Sequence, residues 1–382
     1  RMPGLDVLQL FFDDSYGGSW CECDKCRDIP PAQQQMISIN RIAGELGRKS
    51  SGVKTCMTLY HDTVYAENIN TVPESNLLGL FAPRERCYSH SIGDSTCPRN
   101  VFYYEKLKNA VEKFGDNTYI FEYYDDIILF RKLKICLPDI IIKDLRDYKE
   151  AGVNKITSLM FGRYSWWAYE LNMLIFAQAA WNTEYDYTEE LRDFCGALFG
   201  AAGGDMIRYY SLLEKAALGL LTFCEYRDKL TDLRDIPPQA YDFYEKHIEG
   251  ISQSAELFRK GLEIINRLID VSEGDRRARL KREKTILEIS INEALAVYHE
   301  MLGKYVYRKN GKVDLEFLET NLVKAKHYLG ETLRLIEKVP YDVKGSAGGD
   351  LFVRDITESQ IDSLESCIKK AYAYVKAQSP DG

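Results

Sequence analysis

The sequence predicts an α/β unit followed by an all-α unit, and three observations predict it. Over about the first 160 residues, short apolar runs of strand length alternate with amphipathic helical stretches, the pattern of a parallel sheet with crossover helices. From about Leu171 onward the period becomes 3.6 and stays there. A chain of 382 residues is also long for one domain and suits two.

The first strand is Val7 to Phe12, followed by a Gly/Cys loop and a helix from about Pro31 to Gly47. Lys54 to Tyr60 forms a second strand and Leu77 to Ala82 a third, with a helix from about Arg99 to Phe114 behind it. Thr118 to Tyr124 is the fourth strand, backed by a helix from about Pro138 to Ala151, and Lys155 to Phe161 is the fifth. Five βα units in about 160 residues are about 32 residues each, whereas a closed eight-unit barrel takes roughly 250. The expectation is the C-terminal five units of a (β/α)8 TIM barrel over 1–168, with an open five-stranded sheet as the alternative. The first three units would lie outside this chain, which would then be inactive alone. Helices are predicted at about 170–181, 188–198, 204–220, 237–269, 276–306, 313–337 and 355–376. They make 169–382 a helical bundle domain.

Composition excludes some functions. Fifty basic against 58 acidic side chains leave a net charge of −8, which argues against a general nucleic-acid binder that must displace counterions from phosphate. No apolar run approaches the roughly 20 residues of a membrane-spanning helix. The 26 Tyr, 16 Phe and 4 Trp suit a core, and equally a site that stacks on sugar faces. Arg1 precedes Met2, so the compartment stays open.

The chemistry-bearing residues follow the strands. The first strand ends in Asp13-Asp14, where a barrel collects its catalytic groups. Repulsion between the two, with partial burial, would keep one protonated as a general acid; a capping Asp14 beside a solvated Asp13 is the bland alternative. The fourth strand carries Glu122, either a second catalytic carboxylate or the partner of an interior Arg or Lys. Tyr123 and Tyr124 alternate, so one is core and one faces the mouth; Tyr124 is taken as the substrate-facing one. Tyr60, His61 and Arg84 follow the second and third strands and would line the same mouth, as would Trp166 and Trp167 after the fifth. Cys21, Cys23 and Cys26 crowd three thiols into six residues, a spacing suited to a metal. A structural zinc completed by Cys87, His90 or Cys97 is one outcome. Disulfides between the two loops and reduced thiols are the others. No cofactor is required for catalysis.

Four stretches together resemble a known family. They are the strand-end acid with Gly-Gly-Ser-Trp-Cys-Glu-Cys-Asp-Lys-Cys, the segment Arg86-Cys-Tyr-Ser-His90 with Asp94-Ser-Thr-Cys-Pro-Arg-Asn100, the run Glu122 to Asp126, and the stretch from Trp166 to Asn182. Over about residues 5–215 they resemble a bacterial family of glycosidase-like barrels catalogued as a domain of unknown function. One branch of it is glycoside hydrolase family 163, endo-β-N-acetylglucosaminidases acting on N-glycans. Asp13-Asp14 stands where that family usually has an Asn-Asp pair. The adjacent acids also resemble β-N-acetylglucosaminidases that use substrate assistance, in which one Asp orients the 2-acetamido group and the other protonates the leaving oxygen. Glu122 would then be a wall residue of the site. The resemblance implies a retaining glycoside hydrolase acting on an N-acetylhexosamine-containing glycan. A non-catalytic carbohydrate-binding barrel and an interaction scaffold are the competing functions.

Overall fold

The computed structural model describes residues 6–10, 20–49, 52–126, 129–130, 132–160, 170–224, 241–309, 314–338 and 347–378. Five strands are present: β1 (Val7–Leu10), β2 (Lys54–Leu59), β3 (Leu77–Phe81), β4 (Thr118–Asp125) and β5 (Ile156–Met160). They lie side by side in the order β1-β2-β3-β4-β5. The first three pairings are parallel, in register Val7 to Lys54, Thr55 to Leu77 and Gly79 to Thr118. A doubly wound open sheet reverses its strand order at a switch point. Here each strand adds to the same edge, which is the arc of a barrel, so the sheet is a half-barrel.

Both faces of this sheet are apolar, and the period of two separates them. Met57, Leu59, Leu77, Phe81 and Ile120 pack against Met36 and Ile39 of α1 (Pro31–Lys49), Leu107 and Ala110 of α2 (Pro98–Phe114) and Tyr148 of α3 (Pro138–Glu150). Cys56, Leu78 and Leu80, with Tyr119 and Phe121, form a second cluster on the opposite face. Gly79 marks how closely α2 approaches: a Cβ there would meet the Phe114 ring at 2.6 Å.

The helices are α4 (Glu170–Trp181), α5 (Tyr187–Phe199), α6 (Gly203–Cys224), α7 (Tyr241–Asp270), α8 (Gly274–Lys309), α9 (Leu315–Lys338) and α10 (Ala347–Gln378). No strand occurs among the described residues from 170 onward. The last helix begins at Ala347 rather than near 355. It runs through Gly348-Gly349, residues whose poor helix propensity ends the pattern too early in the sequence.

The chain divides into two compact units. One comprises Arg1–Tyr124, Asp139–Met160 and Phe176–Glu184; the other comprises Asp125–Pro138, Phe161–Ile175 and Tyr185–Gly382. Within the second unit α7 packs on α6 and α8, and α9 packs on α8 and α10. The non-helical segment 132–137 is fastened to α8 by two buried ion pairs, Lys132 Nζ to Glu293 at 2.9 Å and Lys134 Nζ to Glu283 at 2.6 Å. Among the described residues no helix is long and apolar enough to cross a membrane.

Candidate functional site

At the carboxyl ends of β2, β3 and β4 the sheet unit gathers an aromatic and charged platform. Tyr60, one residue past β2, stacks on Tyr123 of β4 with ring centroids 6.3 Å apart and 19° between planes. Tyr123 also meets the Phe121 ring edge-on at 5.2 Å, and the Arg84 guanidinium lies 5.8 Å from its centroid. His61 is held in the left-handed region, φ 48°, a strain that proteins tend to retain at functional positions. Its Nδ1 lies 3.1 Å from Glu85 Oε1, and Trp20 Nε1 donates to Asp62 at 3.4 Å. The structure therefore brings together three predicted residues, Tyr60, His61 and Arg84, and adds Tyr123.

Tyr124 and Glu122 go elsewhere, for a reason of parity. Even-numbered residues of β4 share the side of Ile120, which packs under the helices. Tyr124 is fully buried, and its hydroxyl donates to Asp144 Oδ2 at 3.0 Å. It is the core member of the Tyr123-Tyr124 pair, whereas the sequence suggested the mouth. Glu122 is 0% exposed and both of its oxygens are engaged. Oε1 accepts from Arg86 Nε at 2.9 Å and from the Tyr148 hydroxyl, and Oε2 accepts from the Tyr88 hydroxyl at 3.0 Å and the Tyr123 backbone N–H at 3.1 Å. Arg86 reaches on to Asp144. Burial works against the Arg86 charge, but Asp144 and Glu122 outweigh it and keep the guanidinium firmly protonated. Burial also pushes the Asp144 carboxyl up, against the pull of Arg86. In this setting Glu122 is the salt-bridged carboxylate of a buried network, held away from any open surface.

A second buried carboxyl, at the end of the same strand, is far less well paired. Asp125, the last residue of β4, is buried, and its Oδ2 has no hydrogen-bond partner. Oδ1 has only a long 3.5 Å contact from Asn172 Nδ2. Burial pushes its pKa up to about 8, with the Asn172 amide opposing. Burial thus favours the protonated form of this carboxyl, although at 1% exposure it is no more open to a substrate than Glu122. Sequence reasoning passed over it. The available signal was its odd number, the parity of Phe121 and Tyr123.

The cysteines form two groups, each with ligand atoms within 4.8 Å of one another: Cys21, Cys23 and Cys26, and Cys87, His90 and Cys97. In the first, an amide on the following helix staples the loop. Gln34 Oε1 accepts from the Cys21 backbone N–H at 3.0 Å, and its Nε2 donates to the carbonyls of Cys26 at 3.1 Å and Ile29 at 2.9 Å. The Lys25 backbone N–H and the neighbouring thiols lower the pKa of Cys23, while Cys23 and Cys21 push Cys26 up to about 11. Asp13, Asp14, Trp166 and Trp167 lie outside the described residues.

Comparison with known proteins agrees with this arrangement at the level of fold. The model of a family described as a domain of unknown function (DUF4838) matches residues 11–211, more than half of the chain. Five solved chains match in structure. One is a GH138 enzyme targeting pectin rhamnogalacturonan II, aligned with a TM-score of 0.52 and 10% identity over 88% of this chain. The alignment takes in 65% of that structure, so this chain spans less than two-thirds of its length. At such identity the likeness is one of fold: glycoside hydrolase-like, with a half-barrel and a helical part. These matches fit a half-barrel followed by a helical part and do not select glycoside hydrolase family 163. No curated protein matches the chain in sequence.

Proposed function

We propose, for a chain that belongs to the family described as a domain of unknown function (DUF4838), a glycoside hydrolase acting on an N-acetylhexosamine-containing glycan. The observation that carries this reading is the stacked Tyr60–Tyr123 pair with Arg84 beside it. A pyranose ring offers apolar C–H faces and a polar rim; half-buried Tyr60 would offer it an aromatic face, backed by Tyr123, which is 8% exposed, with Arg84, His61 and Asp62 around it. Trp166 and Trp167 would extend it.

Asp13 and Asp14, directly after β1, are the acid set. One orients the 2-acetamido group as internal nucleophile while the other protonates the leaving oxygen, giving retention. Glu122 supports the site by fixing Arg86 and the loop after β3. Cys21, Cys23 and Cys26 hold a structural zinc that braces the loop carrying Trp20; their thiolates suit that ion and not a hard cation. The ion would act as a clamp on this loop once a fourth ligand closed its tetrahedron, and no step of the hydrolysis is assigned to it.

The test is hydrolysis of aryl β-N-acetylglucosaminides against aryl β-glucosides by the natural full-length protein. Asp13→Asn and Asp14→Asn should each lower kcat by about 10²–10⁴-fold, the usual worth of positioned acid–base groups. Asp125→Asn belongs in the same panel. Tyr123→Ala should raise KM. Glycan binding without turnover of any substrate would make the protein a carbohydrate-binding barrel instead.

A further inference from the structure

We propose that Cys87, His90 and Cys97 form a second metal site, specific for a thiophilic divalent cation such as zinc and separate from the Cys21 group. The proposal is independent of the glycan reading.

The geometry is close to three corners of a tetrahedral site. All three donor atoms lie within 4.8 Å of one another, and Cys87 Sγ stands 3.3 Å from His90 Nδ1. Tetrahedral zinc, with bonds of about 2.3 Å to sulfur and 2.0–2.1 Å to nitrogen, separates its ligands by roughly 3.5–3.8 Å. Small rotations would bring the three donors onto one ion. Both sulfurs are buried, Cys87 at 2% and Cys97 at 6% exposure. Two thiolates and a neutral imidazole carry two negative charges, which a divalent cation cancels; burial of the set then costs little. Cys97 occupies the N-cap of α2, and its side chain makes no capping bond. Ser89 Oγ, 3.0 Å from Cys87 Sγ, can donate to that sulfur as an outer-shell partner.

The loop is built independently of any ion. Asn100, wholly buried on the first turn of α2, accepts from the Cys87 N–H at 2.8 Å. It donates to the carbonyls of Cys87, His90 and Ser91 at 2.9, 3.0 and 2.7 Å. Arg86 Nη1 donates to the Cys87 and His90 carbonyls at 3.2 and 3.3 Å. The Ile92 N–H donates to Asp144 and the Gly93 N–H to Asp147, at 2.7 and 2.8 Å. A Cβ at Gly93 would meet the Asp147 carboxylate at 2.6 Å, so a larger residue would have to displace the group that holds the Gly93 N–H. Binding energy is therefore not consumed in ordering backbone. A metal here would lock the same connection that carries Arg84.

The experiment is a zinc and cobalt(II) titration of the full chain, purified reduced and freed of metal. Comparison is with Cys87→Ser/Cys97→Ser and with Cys21→Ser/Cys23→Ser, the fold of each being checked by circular dichroism. The first double variant should lose one tightly bound equivalent, together with its share of the thiolate-to-cobalt charge-transfer band. The second double variant should keep that equivalent, whatever the Cys21 group binds. His90→Ala leaves both thiols in place and covers the case in which the double variant fails to fold. It should weaken this equivalent by more than the roughly 10- to 100-fold that an outer-shell loss costs. A folded Cys87→Ser/Cys97→Ser protein with unchanged metal content overturns the proposal. So does His90→Ala with unchanged affinity, or one equivalent abolished alike by both double variants. A Cys87–Cys97 disulfide in protein from a thiol-blocked lysate overturns it as well.

Discussion

Arg86 Nε donates to Glu122 Oε1 at 2.9 Å, and neither side chain has any solvent exposure. One guanidinium thus sits between two carboxylates, Glu122 and Asp144, with the hydroxyls of Tyr88, Tyr148 and Tyr124 closing the remaining directions. Removing one partner of such a pair leaves a buried charge without compensation, typically at a cost of about 3–5 kcal/mol. Glu122→Gln is expected to lower unfolding stability by an amount toward the lower end of that range, because Asp144 still faces Arg86. Arg86→Met, which strands two carboxylates, should cost more. Urea unfolding measures both. Unchanged stability in Glu122→Gln with turnover abolished would return Glu122 to the acid set.

Adjacent tyrosines on β4 should respond in opposite ways. Tyr123 belongs to the Tyr60 stack, so Tyr123→Ala should weaken glycan binding. One aromatic contact is worth about 0.5–1.5 kcal/mol beyond its area, which corresponds to a several-fold rise in Kd. Tyr124 is buried with its hydroxyl on Asp144. Tyr124→Phe should therefore cost about 1.5–3 kcal/mol of stability, the range for a hydrogen bond to a charged group, and leave Kd unchanged. Calorimetric binding and denaturant unfolding on the same two variants decide the matter; equal effects on Kd would contradict the assigned faces.

The strands were legible because a half-barrel between two layers needs apolar runs, and Leu77 to Phe81 is apolar on both faces. Strand order follows from the same logic, since consecutive right-handed crossovers extend one edge. Side-chain direction at a strand end was harder to see. The run Phe121 to Asp126 is rich in groups that suit either face, and only the burial of Ile120 beneath the helices sets the parity. That single phase sends Glu122 and Tyr124 inward to Arg86 and Asp144. The salt-bridged alternative for Glu122 was visible, but its partner Arg86 is 36 residues away and carries no local pattern. The second Cys/His group was visible as ligands in search of a site. Its independence depends on Asn100 folding the loop back on itself, a contact no spacing rule encodes.

In the helical unit, buried and exposed ion pairs offer an internal control. Burial opposes the Lys134 charge, yet Glu283 holds its pKa above the usual value, and Tyr209 donates to the same carboxylate at 3.0 Å. Glu283→Leu should cost about 3–5 kcal/mol by stranding the ammonium. Glu365, paired with Lys326 at 41% and 46% exposure, should cost little on replacement by Ala, because solvent screens the pair. Comparable losses in the two variants would mean that the Lys134 pair is as well solvated as the surface one.

Asp125 gives stability a pH dependence whose sign is fixed by its surroundings. Its folded pKa is raised to about 8 from an ordinary 3.8, chiefly by burial. Between those values the native state keeps a proton that the unfolded chain has released. The stability it contributes is fully present below about pH 4 and is lost as pH rises toward about 8, at up to about 1.4 kcal/mol per pH unit. Asn cannot ionise and keeps the shape, so Asp125→Asn should lack this loss. Every other titrating group is common to both proteins, and the difference between their stability curves isolates Asp125. Urea unfolding at pH 5, 7 and 9 should show the variant gaining steadily on the wild type and exceeding it at pH 9. Parallel curves over that interval would mean that Asp125 ionises normally in the folded protein.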